Sequence, residues 1–151
     1  MAYFMYVAMQ GDNKISVFTV DPESGNITPE FEVPVEGGPF TMSISPDKHH
    51  LYVGCRDIPG ISSYQINPND GGLTSLGSVP LDSWPVYIST DRKGKYLLSS
   101  YYQGAGVKVH GIAQDGSVIN PPVVSLDTAT GAHAMQTDST NSYAFVPHIA
   151  G

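Results

Sequence analysis

A pattern of roughly 46 residues recurs through the chain, and it constrains the fold more than any other feature of the sequence. Aligning Tyr6-Val7-Ala8 with Tyr52-Val53-Gly54 brings later apolar positions into register. These positions are Ile15, Phe18 and Val20, which fall opposite Ile61, Tyr64 and Ile66. A marker recurs at Asp47, Asp91 and Asp138, each five residues before a tyrosine. The chain is therefore predicted to consist of similar consecutive units.

Each unit is predicted to contain four short strands. In the second unit these strands are 40–44, 51–54, 61–66 and 73–81. Turns rich in Asp, Asn and Gly separate the last two strands of a unit, and such residues tolerate the positive φ that tight turns require. An all-β sandwich is the alternative, but a sandwich does not demand a repeat with fixed markers. The pattern favours a β-propeller of four-stranded antiparallel blades.

Counting strands predicts about three and a quarter blades. Closed propellers have about four to eight blades, so this number is too small to close a ring. The predicted blades of this single domain (1–151) are 3–35, 39–81 and 84–126, followed by the start of a fourth at 132–148. The chain is expected to be the N-terminal portion of a larger propeller. The alternative is that two copies associate to complete the ring.

Composition excludes several classes of function. The net charge of −7 disfavours binding to nucleic acid or to an anionic membrane. The single Cys55 excludes an internal disulfide and a multi-cysteine metal site, and favours a reducing compartment. The sequence shows no signal peptide, no apolar run long enough to span a membrane, and no metal-ligand or phosphate-loop motif. A cytoplasmic protein without a metal or another cofactor is expected.

In a blade, the start of the first strand and the end of the second lie on one face, so polar residues at these places should converge on the mouth of the central channel. Ligand sites of propellers commonly lie there, where loops vary on a rigid ring. The residues at these places are Arg56, Trp84, Tyr101, Tyr102, His133 and His148.

His133 is the strongest catalytic candidate. Its counterparts by spacing from the Asp marker are Met42 and Val86, so a repeated apolar position has become a histidine. An imidazole facing the channel can act as a general base near neutral pH. The alternative is a structural histidine bonded to the backbone.

Arg56 follows the second strand of its blade, where a guanidinium can bind a phosphate or carboxylate in a bidentate manner. The alternative is an ordinary surface arginine. Trp84 and the tyrosine pair could line a sugar site or belong to the core, and the surroundings of His148 are undefined by the sequence. Packing is the default expectation for His110, and Cys55 is expected to be buried and inert.

Several segments resemble the bacterial type of 6-phosphogluconolactonase, a family of seven-bladed propellers related to carboxymuconate cyclases. The matching segments are 45–56, 64–74, 88–96 and 100–104, and the segment in which His133 precedes Asp138 and Val146-Pro147. The resemblance covers essentially the whole chain. It implies a seven-bladed fold whose later blades lie outside this sequence.

The resemblance also implies a reaction: hydrolysis of 6-phosphogluconolactone to 6-phosphogluconate in the oxidative pentose phosphate pathway, without a metal. In this interpretation His133 activates water, Arg56 holds the phosphate or the developing oxyanion, and Tyr101 orients sugar hydroxyls. Trp84 and His148 are the further expected substrate contacts. A lactonising cycloisomerase of the cyclase type and a non-catalytic binding or scaffold module are the alternatives.

Overall fold

The structure, a computed structural model that describes residues 3–149, is built from β-strands and one short 3-10 helix (Gln10–Asp12). The first sheet contains β1 (Tyr3–Met9), β2 (Lys14–Val20) and β3 (Ile27–Pro34). The second contains β4 (Pro39–Ile44), β5 (His50–Cys55), β6 (Gly60–Ile66) and β7 (Leu73–Pro80). The third contains β8 (Tyr87–Thr90), β9 (Tyr96–Tyr101), β10 (Gly106–Gly111) and β11 (Val124–Asp127). The fourth contains only β12 (Gln136–Thr137) and β13 (Ala144–Phe145).

Every pairing within these sheets is antiparallel and joins strands that follow each other in the chain. The first strand of the second sheet, β4, lies beside both β1 and β8, so the sheets stand side by side. Within residues 3–149 no helix is long and apolar enough to cross a membrane. The prediction of an all-β fold made of four-stranded antiparallel units is confirmed.

The core lies between the sheets rather than within any one of them. One apolar cluster joins the first and second sheets and includes Ile15, Val17, Leu51 and Val53. A second cluster joins the second and third sheets and includes Tyr52, Ile61, Ile88 and Leu97. A third, smaller cluster joins the third sheet to the fourth through Leu98, Val107 and Met135. Each sheet therefore depends on its neighbour for burial, as expected of stacked repeat units.

The recurring marker has a structural role that explains its spacing. The Asp91 carboxylate accepts hydrogen bonds from the backbone N–H groups of Lys95 (2.7 Å) and Tyr96 (2.9 Å). Asp138 accepts the corresponding bonds from Ser142 (2.9 Å) and Tyr143 (3.0 Å). These carboxylates satisfy backbone donors in the turn between the first and second strands.

In the second unit this position is held by Ser45 rather than by Asp47. The backbone N–H of Ser45 donates to His50 O, just as Asp91 donates to Tyr96 O and Asp138 to Tyr143 O. Aligning the three Asp residues is therefore wrong by two positions in the second unit. The counterpart of His133, five residues before the marker, is Phe40 and not Met42.

The inner strands of the third and fourth sheets begin only at Tyr87 and Gln136. Trp84 and the buried Pro85 lie before β8. Proline lacks the N–H that a strand ladder needs, so the strand does not extend back through Pro85. His133 likewise precedes β12, although an isolated bridge pairs Ala132 with His148. Both side chains thus stand just before an inner strand rather than within it.

Candidate functional site at the ends of the inner strands

Phe40 occupies a β-bulge at the start of β4. Pro39 pairs with Cys55 and Thr41 pairs with Gly54, so Phe40 is the extra residue between them. A bulge re-aims the side chain of its extra residue, and the Phe40 ring is exposed at the end of the sheet. The sequence patterns did not single out this residue, because the Asp alignment placed Met42 at its position.

The same irregularity recurs at His133. Ala132 pairs with His148 and Gln136 pairs with Phe145, which leaves one more residue on the first segment than on the second. The backbone N–H of His133 donates to Pro147 O at 3.0 Å, and its side chain is exposed. Phe40 and His133 therefore hold equivalent positions, each at an irregularity of the inner segment of its unit.

Arg56 directly follows β5, and its guanidinium lies in a corner formed by two aromatic rings. The guanidinium carbon is 4.6 Å from the Trp84 ring centroid and 5.6 Å from the Phe40 centroid. The two rings themselves meet edge to face, with centroids 5.4 Å apart and planes at 84°. Cation–π contacts at exposed positions contribute about 0.5–1 kcal/mol each, so the two together offset much of the roughly 2 kcal/mol of rotamer entropy that an ordered arginine side chain loses.

The backbone around Arg56 is also held in place. Its N–H donates to Gly38 O, and that of Asp57 donates to Gly37 O, both at 2.9 Å. Gly37 and Gly38 have φ of 90° and 70°, which glycine adopts readily. The loop that precedes β4 and the loop that follows β5 thus form one hydrogen-bonded unit.

His133 contacts a different aromatic residue, Tyr102, the first residue after β9. Their rings meet edge to face with centroids 6.1 Å apart. The backbone N–H of Gly131 donates to Tyr102 O at 3.2 Å, which fixes the two segments relative to each other. Tyr102 follows β9 as Arg56 follows β5, so both contacts join the end of a second strand to the start of the next sheet.

The remaining predicted site residues lie as follows. His148 is exposed, and its Nδ1 lies 3.1 Å from Val146 O. Tyr101 is only 2% exposed, and its hydroxyl is 3.0 Å from Ser99 Oγ. Burial raises the pKa of Tyr101 to about 12. Because successive residues of a strand face opposite sides, the ring at this end that reaches the surface is that of Tyr102, and the expectation that Tyr101 contacts a sugar is corrected accordingly.

The structure brings Arg56 together with Trp84, and His133 with Tyr102. Within residues 3–149 no hydrogen bond, ion pair or ring contact joins one pair to the other. Both pairs are open to solvent. A cavity of about 510 Å³ adjoins the segment of His133 and is lined by Ala134, Gln136, Phe145, Val146 and Pro147. The candidate site is thus an open surface with two prepared contacts.

Two titratable residues outside this surface are buried. His110 is 0% exposed, and neither ring nitrogen has a hydrogen-bond partner among residues 3–149. Burial, with a smaller effect of Lys108, lowers the pKa of His110. Burial also raises the pKa of the Cys55 thiol, which disfavours the thiolate. Both are packing residues in this arrangement.

The antiparallel sheets stand side by side, and two of them are four-stranded, which is the architecture of β-propeller blades; the candidate surface lies at one end of their inner strands. The sequence model of the family described as "Lactonase, 7-bladed beta-propeller" matches residues 2–80 and 37–148. The chain belongs to this lactonase family.

Relatives of known name agree with this assignment. The chain is 37% identical over 147 residues to the 6-phosphogluconolactonase of Pectobacterium atrosepticum, a match that covers 97% of the chain and 43% of that protein. It is 38% identical to the 6-phosphogluconolactonase of Serratia proteamaculans, with 97% and 44% covered. The chain thus spans less than half the length of these relatives.

Solved structures share the fold. The periplasmic gluconolactonase PpgL of Pseudomonas aeruginosa superposes with a TM-score of 0.87 at 22% identity, covering 100% of the chain and 48% of that protein. The gluconolactonase XC5397 of Xanthomonas campestris superposes with a TM-score of 0.64 at 22% identity, covering 97% and 50%.

Proposed function

We propose that the chain forms part of a lactone hydrolase that converts 6-phospho-D-glucono-1,5-lactone to 6-phosphogluconate. The observation that carries this proposal is 37–38% identity, along 97% of the chain, to proteins named 6-phosphogluconolactonase. The site geometry supports it, because a guanidinium and an imidazole stand exposed at the ends of the second and the fourth sheet. These groups suit a neutral lactone ring that carries an anionic phosphate.

In the proposed reaction His133 is the general base. Its imidazole takes a proton from water as the water oxygen attacks the lactone carbonyl carbon. The bond from that carbon to the ring oxygen then breaks, and the imidazolium returns the proton to the departing oxygen. The edge-to-face contact with Tyr102 restricts the imidazole orientation without occupying a ring nitrogen in a described hydrogen bond.

Arg56 supplies positive charge, and Trp84 supplies an aromatic wall at the same position. In this proposal His148 contacts the substrate from the fourth sheet, and the bridge between Ala132 and His148, which pairs its segment with that of His133, supports this role. Tyr101 supports the surface from beneath. The ligand in this proposal is a small phosphosugar lactone, and no step requires a metal or an organic cofactor.

The proposal includes association between copies of the chain and action in the cytoplasm. Phe145 holds in the fourth sheet the position that Tyr52 holds in the second, yet it is 63% exposed while Tyr52 is 0% exposed. Exposed apolar surface of this kind favours burial by another protein surface. The buried free thiol of Cys55 is compatible with a reducing compartment.

The direct experiment is a hydrolysis assay. The lactone is generated from glucose 6-phosphate by a dehydrogenase, and its decay is followed with and without the purified protein. The proposal expects decay above the spontaneous rate, with a pH dependence in the histidine range. Saturable binding of the lactone with decay at the spontaneous rate would instead favour a binding module.

A further inference from the structure

We propose that Phe40 and Trp84 hold the Arg56 guanidinium as a subsite for the phosphate group of the ligand, and that this subsite selects phosphorylated over unphosphorylated sugar acids and lactones. The inference deepens the proposed function and rests on it for the class of ligand. It assigns to Arg56 the phosphate rather than the oxyanion. It also gives Phe40 and Trp84 the role of positioning residues that act through Arg56.

The first support is that the Arg56 guanidinium has no charged or hydrogen-bonding partner among residues 3–149, unlike three other basic side chains. Lys14 pairs with Asp12 and Glu32, and Lys108 pairs with Asp82. Arg92 donates through its guanidinium to backbone oxygens of the fourth sheet. The exposed Lys48, Lys93 and Lys95 are also unpaired among the described residues, but no aromatic ring contacts them. Within residues 3–149 no ion pair and no side-chain hydrogen bond involves the Arg56 guanidinium. Its charge is therefore available to a ligand, in a protein whose net charge is −7.

The second support is the geometry of the corner. The two rings lie near the guanidinium at 4.6 and 5.6 Å and are nearly perpendicular, so they restrict the cation from two directions. A guanidinium directs its five N–H donors outward in its own plane, in a fork that matches two phosphate oxygens. Because the rings are nearly perpendicular, at most one of them can stack on a face of the guanidinium plane, and donors at the other edges of that plane stay available.

The third support is that the local backbone is shaped to form this corner. The bulge brings Phe40 to Arg56, as described above. At Gly54 an added Cβ would lie 2.7 Å from Thr41 Cγ2 and 2.8 Å from Pro85 Cγ. The absence of a side chain at Gly54 thus lets Pro85, and with it Trp84, approach the end of β5.

These features predict selectivity by charge. The lactone ring and its hydroxyl groups are neutral, whereas the phosphate is the part of the ligand that an ordered, unneutralised guanidinium binds most strongly. A lysine at the same position would offer a point charge without the planar fork and without the same stacking. Arg56 and its two aromatic neighbours should therefore bind phosphorylated ligands more tightly than their unphosphorylated analogues.

The test uses the protein as it stands, because Trp84 is its only tryptophan and lies against Arg56. Tryptophan emission is recorded during titration with 6-phosphogluconate and, separately, with gluconate at matched ionic strength. The proposal expects a saturable change in emission with 6-phosphogluconate. The affinity for gluconate should be at least about tenfold lower, which corresponds to the loss of about one charge-assisted contact. Equal responses to the two ligands, or no response to either, would overturn it.

Variants identify the residues that carry the effect. Arg56→Lys should weaken 6-phosphogluconate binding about tenfold, and Phe40→Leu should weaken it about two- to fivefold through loss of one cation–π contact. Lys93→Ala removes an exposed positive charge in the turn before β9 and should leave binding unchanged. Unchanged binding in Arg56→Lys would reject the subsite. Circular dichroism checks that each variant is folded.

The outcome also separates this inference from the proposed function. Selective binding of 6-phosphogluconate without lactone hydrolysis supports the subsite and rejects the catalytic proposal. Hydrolysis of phosphorylated and unphosphorylated lactones at equal rates, with equal binding of the two acids, supports a hydrolase and rejects the subsite.

Discussion

Phe40 and His133 occupy the same position in two units of the chain, five residues before the turn marker and at an irregularity in the pairing of the inner segment. One contacts Arg56 and the other contacts Tyr102. A single backbone irregularity, repeated from sheet to sheet, thus projects side chains toward one end of the inner strands. Different residues at this position supply a hydrophobic wall in one blade and a titratable group in another.

Gly54→Ala tests the packing that supports Trp84. The new methyl group would collide with Thr41 and Pro85, so we expect a loss of about 1–3 kcal/mol in the free energy of unfolding. Displacement of Pro85 should also shift tryptophan emission to longer wavelength. Urea titration followed by fluorescence measures both effects. Gly11→Ala is the control, since nothing lies within 4 Å of its added Cβ; equal behaviour of the two variants would contradict the packing described.

His110→Phe tests the cost of the buried imidazole. Phe18 and Tyr64 hold the corresponding place beside the bulges of β2 and β6, so the substitution restores the aromatic residue of the other units. Removing two unsatisfied nitrogens should stabilise the protein by about 1–3 kcal/mol at pH 7.

The pH dependence of this variant has a defined sign. Because the pKa of His110 is lowered in the folded state, the unfolded chain binds more protons, and stability falls as the pH drops below about 6.5. Between pH 7 and pH 5 the stability of His110→Phe should therefore fall less than that of the parent protein, as measured by urea midpoints. The exposed His49→Gln should retain it. An unchanged pH profile in His110→Phe would show that the imidazole is not a source of the dependence.

Asp91→Asn tests the role of the turn marker. Burial disfavours the charge of Asp91, but hydrogen bonds from Tyr96, Asn141 and Lys95 outweigh it and lower the pKa of the carboxyl group. The stability that this carboxylate provides is present above pH 3.8 and is lost as the pH falls through its lower folded-state value. The variant should therefore be about 1–3 kcal/mol less stable at pH 7, with a smaller difference near pH 3.

Thermal unfolding monitored at both pH values measures this difference. The control is Asp127→Asn, at an exposed position in β11, which should change the melting temperature by no more than about 1–2 °C. A difference between the Asp91 variant and the parent protein that is as large near pH 3 as at pH 7 would contradict a role for the charge.

Phe145→Asp tests association through the fourth sheet. If copies of the chain bury this ring against each other, a charge at its position should shift the protein toward monomer in sedimentation velocity experiments. Ile58→Asp changes another exposed apolar residue, in the loop after β5, and should leave the assembly unchanged. A parent protein that is monomeric at all concentrations tested would reject the association.

The sequence predicts the architecture well because its evidence is distributed over many positions. Alternating apolar residues and repeated turns indicate four-stranded units even when single positions slip. The placement of Ser45 shows where this evidence fails. Ser45 and Asp91 have different side chains but make the same backbone hydrogen bond, so identity matching chose Asp47 instead. The boundaries proposed for the individual blades stay predictions.

The candidate site is less accessible to sequence analysis. Arg56, Trp84 and His133 are recognisable from their residue types and their places near strand ends, and the structure finds all three at one end of the sheets. Phe40 is not recognisable in this way, because its position depends on a β-bulge that alternation patterns do not show. Tyr101 and Tyr102 are adjacent and chemically alike, and only the pleat of β9 decides which of them is buried.

The most direct test of the account is whether His133 supports lactone hydrolysis in a complete propeller. A chimera in which this chain replaces the matching 43% of the Pectobacterium atrosepticum 6-phosphogluconolactonase supplies the remainder of the fold. We predict that the chimera hydrolyses 6-phosphogluconolactone above the spontaneous rate, and that His133→Ala lowers kcat about 100-fold or more while the fold is retained. A folded chimera whose His133→Ala variant keeps the full rate would contradict the account.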